Sequence, residues 1–384
     1  MKAVDILAYK VESFDSDCFS KDIAAYDPDS IVLFFDPWHV WCAYAPPGCG
    51  ISGTVLSFFR FKKASWNYYL FPFIFVIDQI RLFGLFVSLC LRYRIRTMLV
   101  ENTYGAVIAG ILRKTGIVKR LFYLPGDWLA GHRGKKQFLS FLGNNVIFPL
   151  CDYLACVFSD VTLDCTWNIA EARARFWGRH IAAREIVFQN RLEVKRNYDT
   201  INIRKARAIA FIGNARPDSG LDLVIRAIAD LKNDGFFLKI AGFYNQECRK
   251  LEELAGKLGV KDKVMFAGFS KRADFPNVLS DCFCGVNILT SPSNYSAMTL
   301  PSKLFDYFQF LLPVIATENA GYMSGVIREH KLGIILHDLN PDSCRQAVVE
   351  IFEKQDMYRK SLIEYINVSK GTGVKDILAV QTVQ

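Results

Sequence analysis

Residues 207–220 read Arg-Ala-Ile-Ala-Phe-Ile-Gly-Asn-Ala-Arg-Pro-Asp-Ser-Gly, and Leu-Asp-Leu-Val-Ile follows at 221–225. Ala208 to Ile212 is a short apolar run closed by Gly213, and it predicts a buried strand that feeds a turn and then a helix. The pattern repeats toward the C-terminus. Strands are predicted at Phe237 to Ala241, Val264 to Ala267, Cys284 to Leu289, Val314 to Ala316 and Gly333 to Leu336, with helices between them. This alternation is that of a parallel α/β sheet. Gly213, Gly242 and Gly268 stand at or just after the carboxyl ends of strands, where an open parallel sheet has its ligand crevice.

Upstream, strands are predicted at Ile31 to Phe35, Thr97 to Val100 and Arg120 to Leu124, with a helix from Tyr104 to Lys114. Further strands are predicted near Tyr153 to Phe158 and Glu185 to Phe188. Residues 191–206 are polar, lack an apolar period and read as a linker. A chain of 384 residues exceeds what one core holds. The predicted organisation is a first domain over 1–195, a second over 207–354, and a C-terminal helix and tail over 355–384.

The apolar share of 51% and charged share of 22% exclude a disordered protein. The net charge of +9 is unevenly placed. Residues 1–59 hold three lysines against eight acidic residues, whereas 60–136 hold fourteen Lys and Arg against Asp78, Glu101 and Asp127. Such a field attracts phosphate-bearing partners without choosing among them. Its cations are interleaved with apolar residues of buried type and no nucleic-acid module is recognisable, so no nucleic-acid partner is expected. The eleven cysteines form no CxxC pair; they read as small core residues in a reducing, cytoplasmic setting and not as a zinc site. The first residues lead into an acidic stretch without an apolar h-region, so no cleavable signal is expected.

The most apolar stretch, Trp66 to Leu91, is interrupted by Asp78, Gln79 and Arg81, which speaks against a spanning helix. Wound as a helix, it gathers Asp78, Arg81, Ser88, Arg92 and Arg96 within an arc of roughly 80°, with Phe, Leu, Ile and Val over most of the rest. Two readings are open. One is a sheet-flanking helix with a single wet edge. The other is a monotopic helix on an anionic membrane, with Arg60, Lys62 and Lys63 before it and Arg92, Arg94 and Arg96 at its end.

Thr299-Leu-Pro-Ser-Lys-Leu-Phe-Asp-Tyr307, then Pro313-Val-Ile-Ala-Thr317, complete a series begun by Phe211 to Ile225, Lys239 to Gly242 and Val264 to Gly268. Together these stretches resemble the nucleotide-binding domain of GT-B glycosyltransferases, in particular the large retaining group (glycosyltransferase family 4, group 1) that builds glycolipids and surface polysaccharides. More weakly, Arg94 to Asn102, the helix from Tyr104, and Leu124-Pro-Gly-Asp-Trp128 resemble the acceptor domain. The resemblance implies an α/β protein with two Rossmann-like domains facing each other across a cleft.

A helix start offers unpaired amides and partial positive charge to a diphosphate. Pro301 suits the first turn, the amides of Ser302 and Lys303 are then available, Lys303 adds a full charge, and Asp306 on the same face can accept from ribose hydroxyls. The expected donor-binding residues are Gly213, Asn214, Arg216, Ser219, Gly242, Gly268, Thr299, Pro301, Ser302, Lys303 and Asp306. The 301–306 segment is expected to face Gly213 across the gap between the lobes. Against the family pattern, Met298 stands where the first of two glutamates is usual, and Asn214 and Ser219 stand where Arg and Lys are usual. Asp127 and His132 are candidates to orient or deprotonate an acceptor hydroxyl.

The resemblance implies transfer of a sugar, with retention, from a nucleotide-diphosphate donor to a lipid-linked or oligosaccharide acceptor, in polysaccharide or glycolipid synthesis. No cofactor and no metal are expected, and the expected location is cytoplasmic or peripheral on the inner membrane face. Two other readings stay open: a catalytically silent GT-B partner that binds nucleotide or membrane, and a sugar-nucleotide epimerase.

Overall fold

The computed structural model describes residues 4–11, 23–35, 39–58, 71–125, 143–164, 166–182, 185–187, 207–270, 274–291, 301–369 and 374–379. It divides into two units, Met1–Gln189 with Thr372–Gln384, and Asn190–Gly371. The strands of the first unit are β1 (Ile6–Val11), β2 (Ile31–Phe35), β3 (His39–Tyr44), β4 (Gly53–Ser57), β5 (Thr97–Val100), β6 (Arg120–Tyr123), β7 (Val161–Asp164) and β8 (Glu185–Val187). Its main helices are α1 (Phe71–Arg92), α2 (Thr103–Lys114), α3 (Phe148–Phe158) and α4 (Trp167–Trp177). The sheet order is β4-β3-β2-β1-β5-β6-β7-β8. β2 with β3 and β3 with β4 pair antiparallel at one edge, and the other neighbours pair parallel.

Successive strand residues point to opposite faces. Leu7, Tyr9, Met98, Val100, Leu121 and Tyr123 therefore join Phe86 of α1 and Ala109 of α2 in one core, while Ile6, Ala8, Leu99, Phe122 and Leu163 build the other. Both faces are covered, as a parallel sheet requires. β1 is central to the sheet yet is not among the predicted strands; its apolar run is short and bracketed by Asp5 and Lys10. The structure also corrects the strand predicted at Tyr153 to Phe158, which is the second half of α3. Pro149 sits in the first turn of that helix, and Phe148, Asp152, Ala155 and Cys156 are buried at helical spacing. A short apolar run fits either element until the burial period decides.

Arg173 of α4 is fully buried. Its guanidinium donates to the two oxygens of Asp152 at 2.9 and 3.0 Å and pairs with Asp164 at the end of β7. The Tyr123 hydroxyl donates to Asp152 at 2.9 Å and shares a 2.7 Å hydrogen bond with Thr103. The group ties α2, α3, α4, β6 and β7 together. Burial raises the pKa of Asp164, with the charge of Arg173 opposing the shift.

The second unit holds β9 (Ala208–Ile212), α5 (Leu221–Asp230), β10 (Phe237–Ala241), α6 (Gln246–Lys257), β11 (Val264–Gly268), β12 (Cys282–Asn287), α7 (Ser302–Gln309), β13 (Val314–Thr317), α8 (Tyr322–Glu329), β14 (Gly333–Leu336), α9 (Pro341–Glu353) and α10 (Gln355–Val368). All strand pairs are parallel, in the order β11-β10-β9-β12-β13-β14. The six strands are those predicted, with β12 starting and ending slightly earlier than expected.

The predicted C-terminal segment 355–384 is shared between the units. Leu362 and Ile366 of α10 pack into the second unit's core. A further helix, α11 (Val374–Ala379), belongs to the first unit. There Ile377 enters the core beside Phe122 and Leu163, and the Leu378 carbonyl accepts from the Arg120 guanidinium at 3.0 Å.

Candidate functional site

In the second sheet the strand order reverses between β9 and β12. Connections that part in opposite directions at such a point leave a crevice beyond the strand ends. Gly213 leaves β9 with φ +111°, and its N–H donates to the Ala241 carbonyl at 2.8 Å. A β-carbon on Gly242 would lie 2.1 Å from the Gly213 carbonyl oxygen, so glycine alone lets the turns after β9 and β10 stack. Asn214 Oδ1 accepts from the Phe243 N–H at 3.1 Å, and Asn245 Nδ2 donates to the Ala215 carbonyl at 2.9 Å. These bonds lock the two turns together.

Ser219 folds back on its own turn. Its hydroxyl donates to the Arg216 carbonyl at 2.6 Å and accepts from the Arg216 N–H at 3.3 Å. The Thr290 N–H donates to the Asp218 carbonyl at 3.0 Å, which fastens the segment after β12 to the turn after β9. Gly220, at φ +61°, leads into α5; a β-carbon there would meet Ile288 Cγ2 at 2.1 Å.

α7 begins beside this turn. Pro301 precedes it, and among the described residues no side chain caps its first turn. Leu304 N–H donates to the Pro301 carbonyl at 3.0 Å, so the amides of Ser302 and Lys303 lie ahead of that bond, where a helix start presents its donors. Lys303 Nζ stands 4.3 Å from the centre of the Phe211 ring of β9. Burial lowers its pKa to about 8, the charge of Arg216 adds to the lowering, and Asp218 opposes it. Arg216 is itself paired with Asp218, Nε to Oδ1 at 3.0 Å.

Tyr307 anchors the helix from below. Its buried hydroxyl accepts from the Ile212 N–H at 2.9 Å and lies 3.2 and 3.3 Å from the Ala210 and Val286 carbonyls, to which it can donate. Sequence reasoning missed this residue; its signal is the aromatic run Phe305-Asp306-Tyr307-Phe308, three of whose members are buried polar or aromatic groups on a short helix.

The structure brings together Gly213, Asn214, Arg216, Ser219, Gly242, Pro301, Ser302, Lys303 and Asp306. It corrects their expected arrangement: the 301–306 segment and Gly213 do not face each other from two lobes but belong to one unit, because they follow the adjacent strands β12 and β9. Asn214 and Ser219 spend their side chains on backbone partners and shape the turn. Asp306 is buried. Gly268 ends β11 at φ +73°, opposite Ala241 in the register. Thr299, Met298, Asp127 and His132 lie outside the described residues. What remains at the crevice is a lysine ammonium, a helix start and an open glycine turn, a set suited to a phosphate-bearing ligand.

Residues 196–367 match the family described as glycosyl transferases group 1. An uncharacterized glycosyltransferase of Methanocaldococcus jannaschii is 25% identical over 194 residues, which are 45% of this chain and 47% of that protein; the match thus spans about half of the relative's length. HepE of Anabaena, solved with UDP and glucose, superposes with a TM-score of 0.67 at 15% identity over 97% of each chain. Sucrose-phosphate synthase of Thermosynechococcus elongatus superposes with a TM-score of 0.65 at 14% identity, over 96% of this chain and 95% of that one. Likeness at such identities speaks to fold. The second unit thus matches the group 1 glycosyltransferase family over nearly its whole length, and the chain has the fold of GT-B glycosyltransferases.

Proposed function

We propose that the chain transfers a sugar from a nucleoside-diphosphate donor to a lipid-linked or saccharide acceptor, with retention, in glycolipid or polysaccharide synthesis at the cytoplasmic face of a membrane. The observation that carries the reading is Lys303 and the start of α7 set against the Gly213–Ser219 turn at the switch point. As the sugar departs, negative charge grows on the β-phosphate. Fixed amides and a poorly hydrated ammonium stabilise that charge without reorganising, so the proposed reaction needs neither a metal nor a cofactor. Asp127 and His132 are the proposed groups for the acceptor hydroxyl. UDP in the HepE structure makes uridine donors the first to test.

A second reading, a catalytically silent nucleotide-binding partner, is favoured by one specific observation: Asn214, Ser219 and Arg216 are engaged within their own turn. Titration with UDP-, GDP-, ADP- and CMP-sugars, followed by turnover against a membrane extract, separates the readings. Transfer that is lost in Lys303→Ala supports the enzyme. A donor that binds with neither transfer nor slow hydrolysis supports the silent partner, and conversion without acceptor supports an epimerase.

A further inference from the structure

We propose that the outward face of α1 is a docking surface for an anionic lipid bilayer, on which the helix lies in the membrane plane. The proposal deepens the reading of a membrane-bound acceptor and rests on it for its purpose, though not for its geometry. α1 has two apolar faces. Leu82, Phe86, Leu89 and Cys90 are buried in the core of the first unit. On the other side Val76, Ile77, Ile80, Phe83 and Leu91 are exposed, Ile80 by 65% and Leu91 by 67%. At 100° per residue these five fall within an arc of about 120°.

The polar edge predicted from the sequence stands at Arg81, Ser88, Arg92 and Arg96, which are exposed, and fails at Asp78. Asp78 is buried and pairs with Arg81 at 3.7 Å, and beside the narrow polar edge of Arg81, Ser88 and Arg92 most of the surface that α1 gives to solvent is apolar. A helix fixed to a sheet along one side cannot be surrounded by lipid, which excludes a span and leaves the in-plane arrangement. The exposed stripe from Val76 to Leu91 is about 22 Å long.

Charge decides the occupant. Arg92, Arg94 and Arg96 are exposed at the end of the stripe, and the Lys119 N–H donates to the Arg96 carbonyl at 2.9 Å, which brings a further exposed cation alongside. Among the described residues the acidic group paired with them is Asp5, 3.6 Å from Arg96. An apolar stripe that ends in like-signed cations matches the acyl boundary and anionic headgroups of a bilayer in both chemistry and depth.

The test is co-sedimentation of the full chain with phosphatidylcholine vesicles, with and without phosphatidylglycerol. Wild type is expected to bind the mixed vesicles at least about tenfold better than neutral ones, and to be released by high salt. Ile80→Gln with Leu91→Gln, both at exposed positions, is expected to cut binding by about tenfold or more, with an unchanged melting curve and unchanged nucleotide-sugar affinity. Arg92→Glu with Arg94→Glu should remove the preference for phosphatidylglycerol. Equal recovery with both vesicles, no recovery with either, or a wild-type dimer that Ile80→Gln dissociates would overturn the proposal, the last by showing that a second copy covers the stripe. Donor turnover is read separately, so loss of the transferase reading and loss of the membrane surface are told apart.

Discussion

The Lys303 ammonium lies 4.3 Å from the centre of the Phe211 ring, so the cation at the start of α7 rests on an aromatic floor supplied by β9. Burial lowers its pKa to about 8, and a half-buried charge attracts a phosphate more strongly than a fully exposed one. Lys303→Met, which keeps most of the stem's packing, is expected to weaken nucleotide-sugar binding by roughly tenfold to a hundredfold, about 1.5–3 kcal/mol. Calorimetric titration measures it, and an unchanged Kd would remove Lys303 from the site.

The same lysine sets a pH dependence. With its pKa held to about 8, the cation is complete below that value and lost above it. Donor affinity is expected to be flat on the acid side and to fall by up to about tenfold per pH unit above it, and the slope should vanish in Lys303→Met. Stability of the free protein runs the other way. Its folded pKa lies below the ordinary 10.5, so between the two values the unfolded chain binds more protons and stability rises with pH.

Gly242→Ala tests the stacked turns. The new β-carbon must displace the Gly213 carbonyl oxygen at 2.1 Å and its carbon at 2.7 Å, and backbone cannot rotate away as a side chain would. A loss of about 2 kcal/mol or more is expected, seen as a fall of roughly 4–8 °C in Tm, with donor binding impaired because the Gly213 turn moves. A variant that melts and binds like wild type would show the turns to be independent.

The buried ion group of the first unit makes a contrast between two carboxylates. Asp152 accepts two guanidinium donors and the Tyr123 hydroxyl, whereas one oxygen of Asp164 is buried with no partner among the described residues. Asp152→Asn is expected to cost about 3–5 kcal/mol, and Asp164→Asn distinctly less. Burial raises the pKa of Asp164 above its ordinary 3.8, so the folded state holds this proton more tightly than the unfolded chain. Its contribution is greatest below 3.8 and is lost as pH rises through the raised value. Urea melts across the acid range should show that slope in wild type and lose it in Asp164→Asn.

The second unit was largely legible because each strand is a short apolar run ended by a glycine or a polar turn, so Ala208 to Ile212 and Phe237 to Ala241 could be bounded residue by residue. The first unit was less so. β1 is too short and too flanked by charge to stand out, and its partners β2 and β5 lie far along the chain. The run ending at Phe158 carries no local sign of whether its period is that of a helix or a strand. At the site, residue types pointed to the right elements, but local competition misled: Asn214 and Ser219 carry short polar side chains that readily bond nearby backbone, and here they do.

The return of α11 to the first unit, with Ile377 packed on one face of its sheet and Arg120 bonded to Leu378, makes the second unit an insertion within the first. During synthesis the first unit emerges early but lacks its last piece until everything from 190 to 371 has left the ribosome. Its maturation is therefore gated by elongation, and a nascent chain halted before 374 would display an uncovered patch beside Phe122 and Leu163, a natural target for a chaperone.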